Sequence, residues 1–223
     1  MSTADTAEAE TNGLLSCYDR LRKAAVSIPI DISKSAKLLN LSNENISEVL
    51  PNLYLSGRTV SQNCELLKEK NITTVINVSD REYANYQENH SFVKNYKFYS
   101  LSDTANAKFD DIVDEAVRLI HESRINGEGV LVHCFLGVSR SATLIAFYLI
   151  SVFQINWKDA VDYIRLRRAS ANPNFGFLHQ LKLYSNTTAN EFRLQLTSER
   201  CLRMREIDRD TIKKYMPCAI IEL

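Results

Sequence analysis

Cys134 and Arg140 stand within the stretch Val132-His133-Cys134-Phe135-Leu136-Gly137-Val138-Ser139-Arg140-Ser141. That pairing suits attack on a phosphate ester. Cysteine acts as a nucleophile only as the thiolate, and an ordinary thiol is a few per cent ionised near neutrality. A strand-to-helix turn aims consecutive backbone N–H groups and the positive end of a helix at one spot, which favours an anion there. Arg140 closes the turn, and its planar fork can hold two phosphoryl oxygens at once, as a lysine cannot. Gly137 permits the tight backbone path such a turn needs. Ser141 is placed to donate a hydrogen bond to a departing thiolate. His133 reads as a residue that orients the loop, not as a base. A lone cysteine at a strand end is usually a small buried hydrophobe. The spacing to Arg140, with Gly137, Ser139 and Ser141 around it, makes the nucleophile the stronger reading.

The elements around the motif must position it. Gly129-Val130-Leu131-Val132 is an apolar, β-branched run and predicts a buried strand, and Ser141 to Ile150 predicts a buried helix. Upstream, two short apolar runs flank Pro51-Asn52 and predict a hairpin-like entry into a sheet. Thr59 to Lys70 is a helix candidate with Val60, Cys64 and Leu67 on one face. Ile72 to Val78 is β-branched, as a strand buried on both sides would be. Residues 79–95 form a long polar connection, and Tyr96 to Leu101 is a further strand. Helical spacing then marks Phe109 to Ile120, Trp157 to Ile164 and Phe177 to Tyr184. The last residues, Ala219 to Leu223, predict a buried closing strand. Strands alternating with helices imply an α/β fold with a central, mostly parallel sheet flanked by helices. Ligands in such sheets bind beyond the carboxyl ends of the strands, where Cys134 falls.

Bulk composition narrows the function class. The chain has 223 residues, and 27 Lys and Arg balance 27 Asp and Glu. Zero net charge argues against nucleic-acid binding. No apolar run approaches the length of a membrane span. The opening MSTADTAEAETN has neither a basic residue nor an apolar core, so no export signal is expected. Five scattered cysteines then imply free thiols and a cytoplasmic, or also nuclear, location. Residues 1–41 read as a partly disordered extension, 42–190 as the catalytic domain and 191–223 as a C-terminal extension.

HCFLGVSRSAT is similar to the signature of the protein tyrosine phosphatase superfamily, His-Cys-x5-Arg-Ser/Thr, and its ending resembles the dual-specificity branch. VLPNLYLSG, ITTVINVS and NPNFGFLHQL resemble the entry strand, second strand and last helix of that branch. The resemblance spans about Ile46 to Tyr184 and looks most like the small atypical members. It implies a phosphatase-like fold and hydrolysis of phosphotyrosine, phosphoserine and phosphothreonine on proteins through a phosphocysteine. It also implies a phosphate cradle of Phe135, Leu136, Gly137, Val138, Ser139 and Arg140, and no metal or other cofactor. The leaving oxygen needs a proton, which the family supplies from an Asp on a loop after the strand preceding the signature. Asp103 matches that position. The alternative is that Asp103 merely caps a turn. Asp110 and Asp111 read instead as the first turn of the next helix. Asn174 and Gln180 match a family segment that supports the signature loop.

Two other function classes compete. Relatives acting on lipid, glucan or RNA 5′ phosphates carry charged or Asn residues where this loop has Phe135, Leu136, Val138 and Ser139. A phosphoprotein-binding pseudophosphatase would lack the nucleophile or the arginine, and both are present. Phosphoproteins are the expected partners. Arg20-Leu21-Arg22-Lys23 followed by Val26 to Ile30 resembles a docking motif read by mitogen-activated protein kinases. An amphipathic helix packed on the domain explains residues 20–30 equally simply, and is preferred.

Overall fold

The computed structural model describes residues 45–81, 91–187, 199–219 and 221. The readings for residues 1–44, including the segment 20–30, lie outside the described residues. The first hairpin pairs β1 (Ser47–Leu50) with β2 (Leu53–Ser56) antiparallel. Asn52 makes the turn with φ of 62°, a left-handed conformation that Asn tolerates. The remaining strands are β3 (Ile72–Ser79), β4 (Asn95–Ser100) and β5 (Gly129–His133). The sheet order is β1-β2-β5-β3-β4. All pairings other than β1–β2 are parallel. β5 therefore lies in the middle, and Cys134 follows it directly.

Side chains alternate across this sheet. Leu53, Leu55, Ile76, Val78, Val130 and Val132 face the larger core. Tyr54, Val75 and Leu131 face the smaller one, with Leu67 and Ile72. The period of two sends neighbouring residues to opposite faces, and both faces are covered, so the central runs read as continuously apolar. β4 is one of the two edges, and Lys97 and Tyr99 on it meet Glu115. Charge on an edge strand discourages further pairing.

The helix candidate at Thr59–Lys70 is two short helices, α1 (Arg58–Ser61) and α2 (Cys64–Glu69). Asn63 breaks it by capping α2, its side chain accepting the Leu66 N–H. Asn favours that role over a helix interior, and Cys64 ends half-buried. α3 (Asp110–Ile125) carries Asp110 and Asp111 in its first turn as expected. α4 (Arg140–Phe153) follows the signature loop and is buried along its whole length. A helix apolar all round belongs in an interior. α5 (Trp157–Arg167) and α6 (Phe175–Thr187) pack against it.

A last helix, α7 (Glu199–Tyr215), has no counterpart in the sequence reading. Its buried face is Cys201, Arg205, Asp208 and Ile212. Of the expected closing strand at residues 219–223, only residues 219 and 221 are described, and neither lies in a strand. Pro217 and Cys218 turn, the Ala219 N–H donates to the Met216 carbonyl, and Ala219 is buried in the main core. α7 and the turn after it thus contribute Cys201, Ile212, Met216 and Ala219 to the main core. Arg124 of α3 donates to both Asp208 oxygens at 2.7 and 2.8 Å, to Tyr148 Oη and to the Pro51 carbonyl. Burial pushes the Asp208 carboxyl pKa up, and Arg124 pulls against it. Next to this pair, His121 meets Tyr148 Oη and Cys201 Sγ. Burial, with the Arg124 and Arg205 charges, lowers the His121 pKa to about 4.

Breaking a buried pair strands its partner. Asp208→Ala is expected to cost about 3–5 kcal/mol of unfolding free energy. Urea unfolding followed by circular dichroism measures this, and a loss below about 1 kcal/mol would detach α7 from the cooperative core.

Candidate active site

Three parallel strands deliver their following residues to one edge of the sheet. Cys134 follows β5, Asp80 follows β3, and Asp103 lies just past β4. The carboxyl edge of a parallel sheet is where α/β proteins bind ligands. Cys134 is 2% exposed. Its sulfur receives hydrogen bonds from the Gly137 N–H and the Ser141 hydroxyl, both at 3.2 Å. Gly137 has φ of 69°, and a Cβ there would lie 2.5 Å from the Ser56 carbonyl. The loop can close over the sulfur only with glycine at this position.

Arg140 opens α4 and lies almost wholly buried. Its Nη1 donates to Asp80 Oδ2 at 2.7 Å and to the Leu101 carbonyl at 3.0 Å. Its Nε is buried with no hydrogen-bond partner among the described residues. One corner of the fork is thus anchored and Nε is left unspent. Burial raises the Asp80 carboxyl pKa, but hydrogen bonds from Arg140 and Ser102 outweigh it and hold the pKa below the usual value.

Asp103 is tied into the same loop. Its Oδ1 accepts from the Ser139 hydroxyl at 2.7 Å and from Asn174 Nδ2 at 2.8 Å. Its Oδ2 lies 3.8 Å from Arg140 Nε. Asn174 also donates its backbone N–H to Ser139 Oγ and accepts the Phe177 N–H. Gln180 links α6 to the segment before α3, through the Phe109 N–H and the Ala107 carbonyl. Both Asn174 and Gln180 thus hold the segment that carries Asp103. His133 lies behind the loop, with Nδ1 at 3.5 Å from Ser61 Oγ and 3.4 Å from the Cys134 carbonyl. Burial, opposed by the Cys134 carbonyl and aided by the Arg58 charge, lowers its pKa to about 4, so the ring is neutral near pH 7.

The structure therefore brings Cys134, Arg140, Asp103, Ser141, Ser139, His133 and Asn174 together. Phe135 and Leu136 lie on the outer arm of the loop, 42% and 39% exposed. Val138 is half-buried, and its carbonyl accepts the Asn172 N–H. Two residues escape the sequence reading. Asp80 follows β3 in a polar stretch, and nothing local marks it as the partner of Arg140. Arg168 reads as a helix-end cation. It is in fact buried, donating to the Gly137, Leu136 and Asn45 carbonyls and to Ser47 Oγ. It braces the loop from below, with its charge beside Cys134.

Comparison with known proteins places this geometry in a family. The family model for the dual specificity phosphatase catalytic domain matches residues 53–187, more than half the chain. The chain belongs to the dual-specificity phosphatases. It is a cysteine-dependent phosphatase of protein phosphotyrosine and phosphoserine/threonine. It is 33% identical over 154 residues to dual specificity protein phosphatase 22-B of Danio rerio, covering 69% of this chain and 81% of the relative. It is 38% identical over 139 residues to human dual specificity protein phosphatase 5, covering 62% of this chain and 35% of the relative. The crystal structure of DUSP15 superposes with a TM-score of 0.60 at 30% identity, covering 67% of this chain and 93% of that one. This phosphatase shares the family's central sheet flanked by helices, with the strand, signature loop and helix at its centre. No helix among the described residues is long and apolar enough to cross a membrane.

Proposed function

We propose that this dual-specificity phosphatase works through a phosphocysteine on Cys134. The observation that carries the reading is the pair of donors aimed at Cys134 Sγ beside the unspent Nε of Arg140. The thiolate attacks phosphorus as the ester P–O bond breaks. The amides of residues 135–140 and Arg140 hold the phosphoryl oxygens. Protonated Asp103 gives its proton to the leaving serine, threonine or tyrosine oxygen. A water then attacks the phosphocysteine and yields its proton to ionised Asp103. The S–P bond breaks and the thiolate returns, stabilised by the Ser141 hydroxyl. Phe135, Leu136 and Val138 bring no charge to the cradle, which favours a single phosphate over polyanionic lipid or RNA ends. Mitogen-activated protein kinase signalling proteins are the finer candidate class, on the strength of the basic and alternating apolar residues at 20–30.

Asp103→Asn tests the assignment without disturbing the loop, because the amide oxygen can still accept from Ser139 and Asn174. Turnover of a phosphoserine peptide, whose leaving group needs the proton, is expected to fall about 10²- to 10³-fold. An aryl phosphate with an acidic phenol needs little protonation and is expected to lose far less. Equal losses on both substrates would place the general acid elsewhere.

A further inference from the structure

Most of the large apolar side chains of this fold are buried, and seven are exposed among the described residues. Three of the seven border the active site. Phe135 and Leu136 directly follow the nucleophile on the outer arm of the loop, 42% and 39% exposed. Phe175 is 83% exposed and follows Asn174, the residue bonded to both Ser139 and Asp103.

None of the three sits on a loose segment. The Phe135 carbonyl accepts the Arg58 N–H, and the Leu136 carbonyl accepts Arg168 Nη2. Phe175 is held between two anchors, Asn174 and Gly176. The backbone of Gly176 lies so close to the acid loop that a Cβ there would come 1.9 Å from the Ala105 carbonyl. Rings displayed on clamped backbone lose little freedom when a ligand covers them, so they bind at low entropic cost.

Carboxylates and cations both lie near the mouth, with Arg58 half-buried and Arg81, next to Asp80, exposed. The Asp80 and Asp103 side chains are each 35% exposed, whereas Arg140 is 7% exposed with one fork corner already spent. Arg58 reaches this arm through its backbone N–H, and its Nε is buried. Acidic neighbours of a phosphoresidue would meet the Asp80 carboxylate there, and apolar neighbours would meet two aromatic rings and a leucine.

We propose that Phe135, Leu136 and Phe175 form a substrate rim that selects phosphoproteins with apolar side chains flanking the phosphoresidue. This rests on the protein-phosphatase reading and deepens it. The occupant is the substrate's own flanking residues, because the rim is continuous with the phosphate cradle. A kinase tethered through residues 20–30 would be turned over through raised local concentration instead of through these flanks.

The test compares phosphotyrosine peptides that differ only beside the phosphoresidue, with leucine, alanine or glutamate on both sides. The full chain is expected to show kcat/KM about tenfold higher for the leucine-flanked peptide than for the alanine-flanked one. The glutamate-flanked peptide should be slowest. Phe175→Ser and Phe135→Ser should each bring the leucine-to-alanine ratio towards one. Because the readout is a ratio within one variant, a general loss of activity cancels. Equal rates on all three peptides would overturn the rim while leaving the phosphatase reading intact. A ratio unchanged in both variants would also overturn it. Failure to hydrolyse any peptide would overturn both readings together.

Discussion

Cys134→Ser is expected to fold, bind phosphopeptide and release no measurable phosphate. A serine hydroxyl ionises far less readily than a thiol, and the cradle holds no base aimed at this position. The His133 imidazole lies behind the loop, hydrogen-bonded towards Ser61 and the Cys134 carbonyl. The Gly137 N–H and Ser141 hydroxyl remain to meet a phosphoryl group, so binding survives while chemistry stops. Loss of the nucleophile should cost on the order of 10⁵-fold in kcat. Phosphate release measures the loss, and fluorescence anisotropy with a labelled phosphopeptide measures the binding that remains. Residual turnover within a hundredfold of the unaltered enzyme would show that Cys134 is not the attacking group. The same variant retains substrates from a lysate. Recovery of a mitogen-activated protein kinase by this variant, lost on replacing Arg20, Arg22 and Lys23 with alanine, would support docking through residues 20–30. Equal recovery from both would count against it.

Arg140→Lys is expected to lower kcat about 10³-fold and to raise KM. The substitution keeps the charge and removes the fork. In the structure Nη1 is committed to Asp80 Oδ2 and the Leu101 carbonyl, so what remains for a phosphoryl group is the rest of the planar guanidinium. A lysine ammonium at this site would satisfy Asp80 or the phosphate, and in neither case present two parallel donors. Steady-state kinetics on an aryl phosphate separates the two constants. A decrease of less than tenfold would remove Arg140 from the transition state and leave it the role of an ion-pair partner to Asp80.

The contrast between Arg140 and Asp80 marks how far the residues could be read in order. Cys134, Arg140, Ser141 and Gly137 lie within one turn, so local spacing alone singles them out. Asp80 lies 60 residues from Arg140 and meets it only because β3 and β5 are parallel neighbours. Arg168 was legible as a cation at the end of α5, and its real task depends on where that helix end falls beneath the loop. Asp103 is intermediate. The family motif points to it, and the bonds from Ser139 and Asn174 that hold it are tertiary.

The elements divide in the same way. The runs at Leu53–Leu55, Ile72–Val78 and Val130–Val132 announce buried strands because β-branched residues fill both faces of a covered sheet. The last helix shows the opposite case. Its buried positions Cys201, Arg205, Asp208 and Ile212 recur at helical spacing, yet two of the four are charged. A reading that follows apolar residues passes over such a stripe. It becomes a core-facing helix only because Arg124, itself bonded to Tyr148, waits across the interface to pair Asp208.

By itself, then, the sequence picked out Cys134 and Arg140 as the candidate nucleophile and phosphate clamp, the strand-loop-helix that carries them and the α/β class. These follow from local spacing, periodicity and the conformational demands of one glycine. Tertiary structure alone decided which carboxylate anchors Arg140, what braces the signature loop, and that α7 packs into the core. Those depend on contacts between groups far apart in sequence, which exist only once strand order and helix docking have brought the partners within hydrogen-bonding distance.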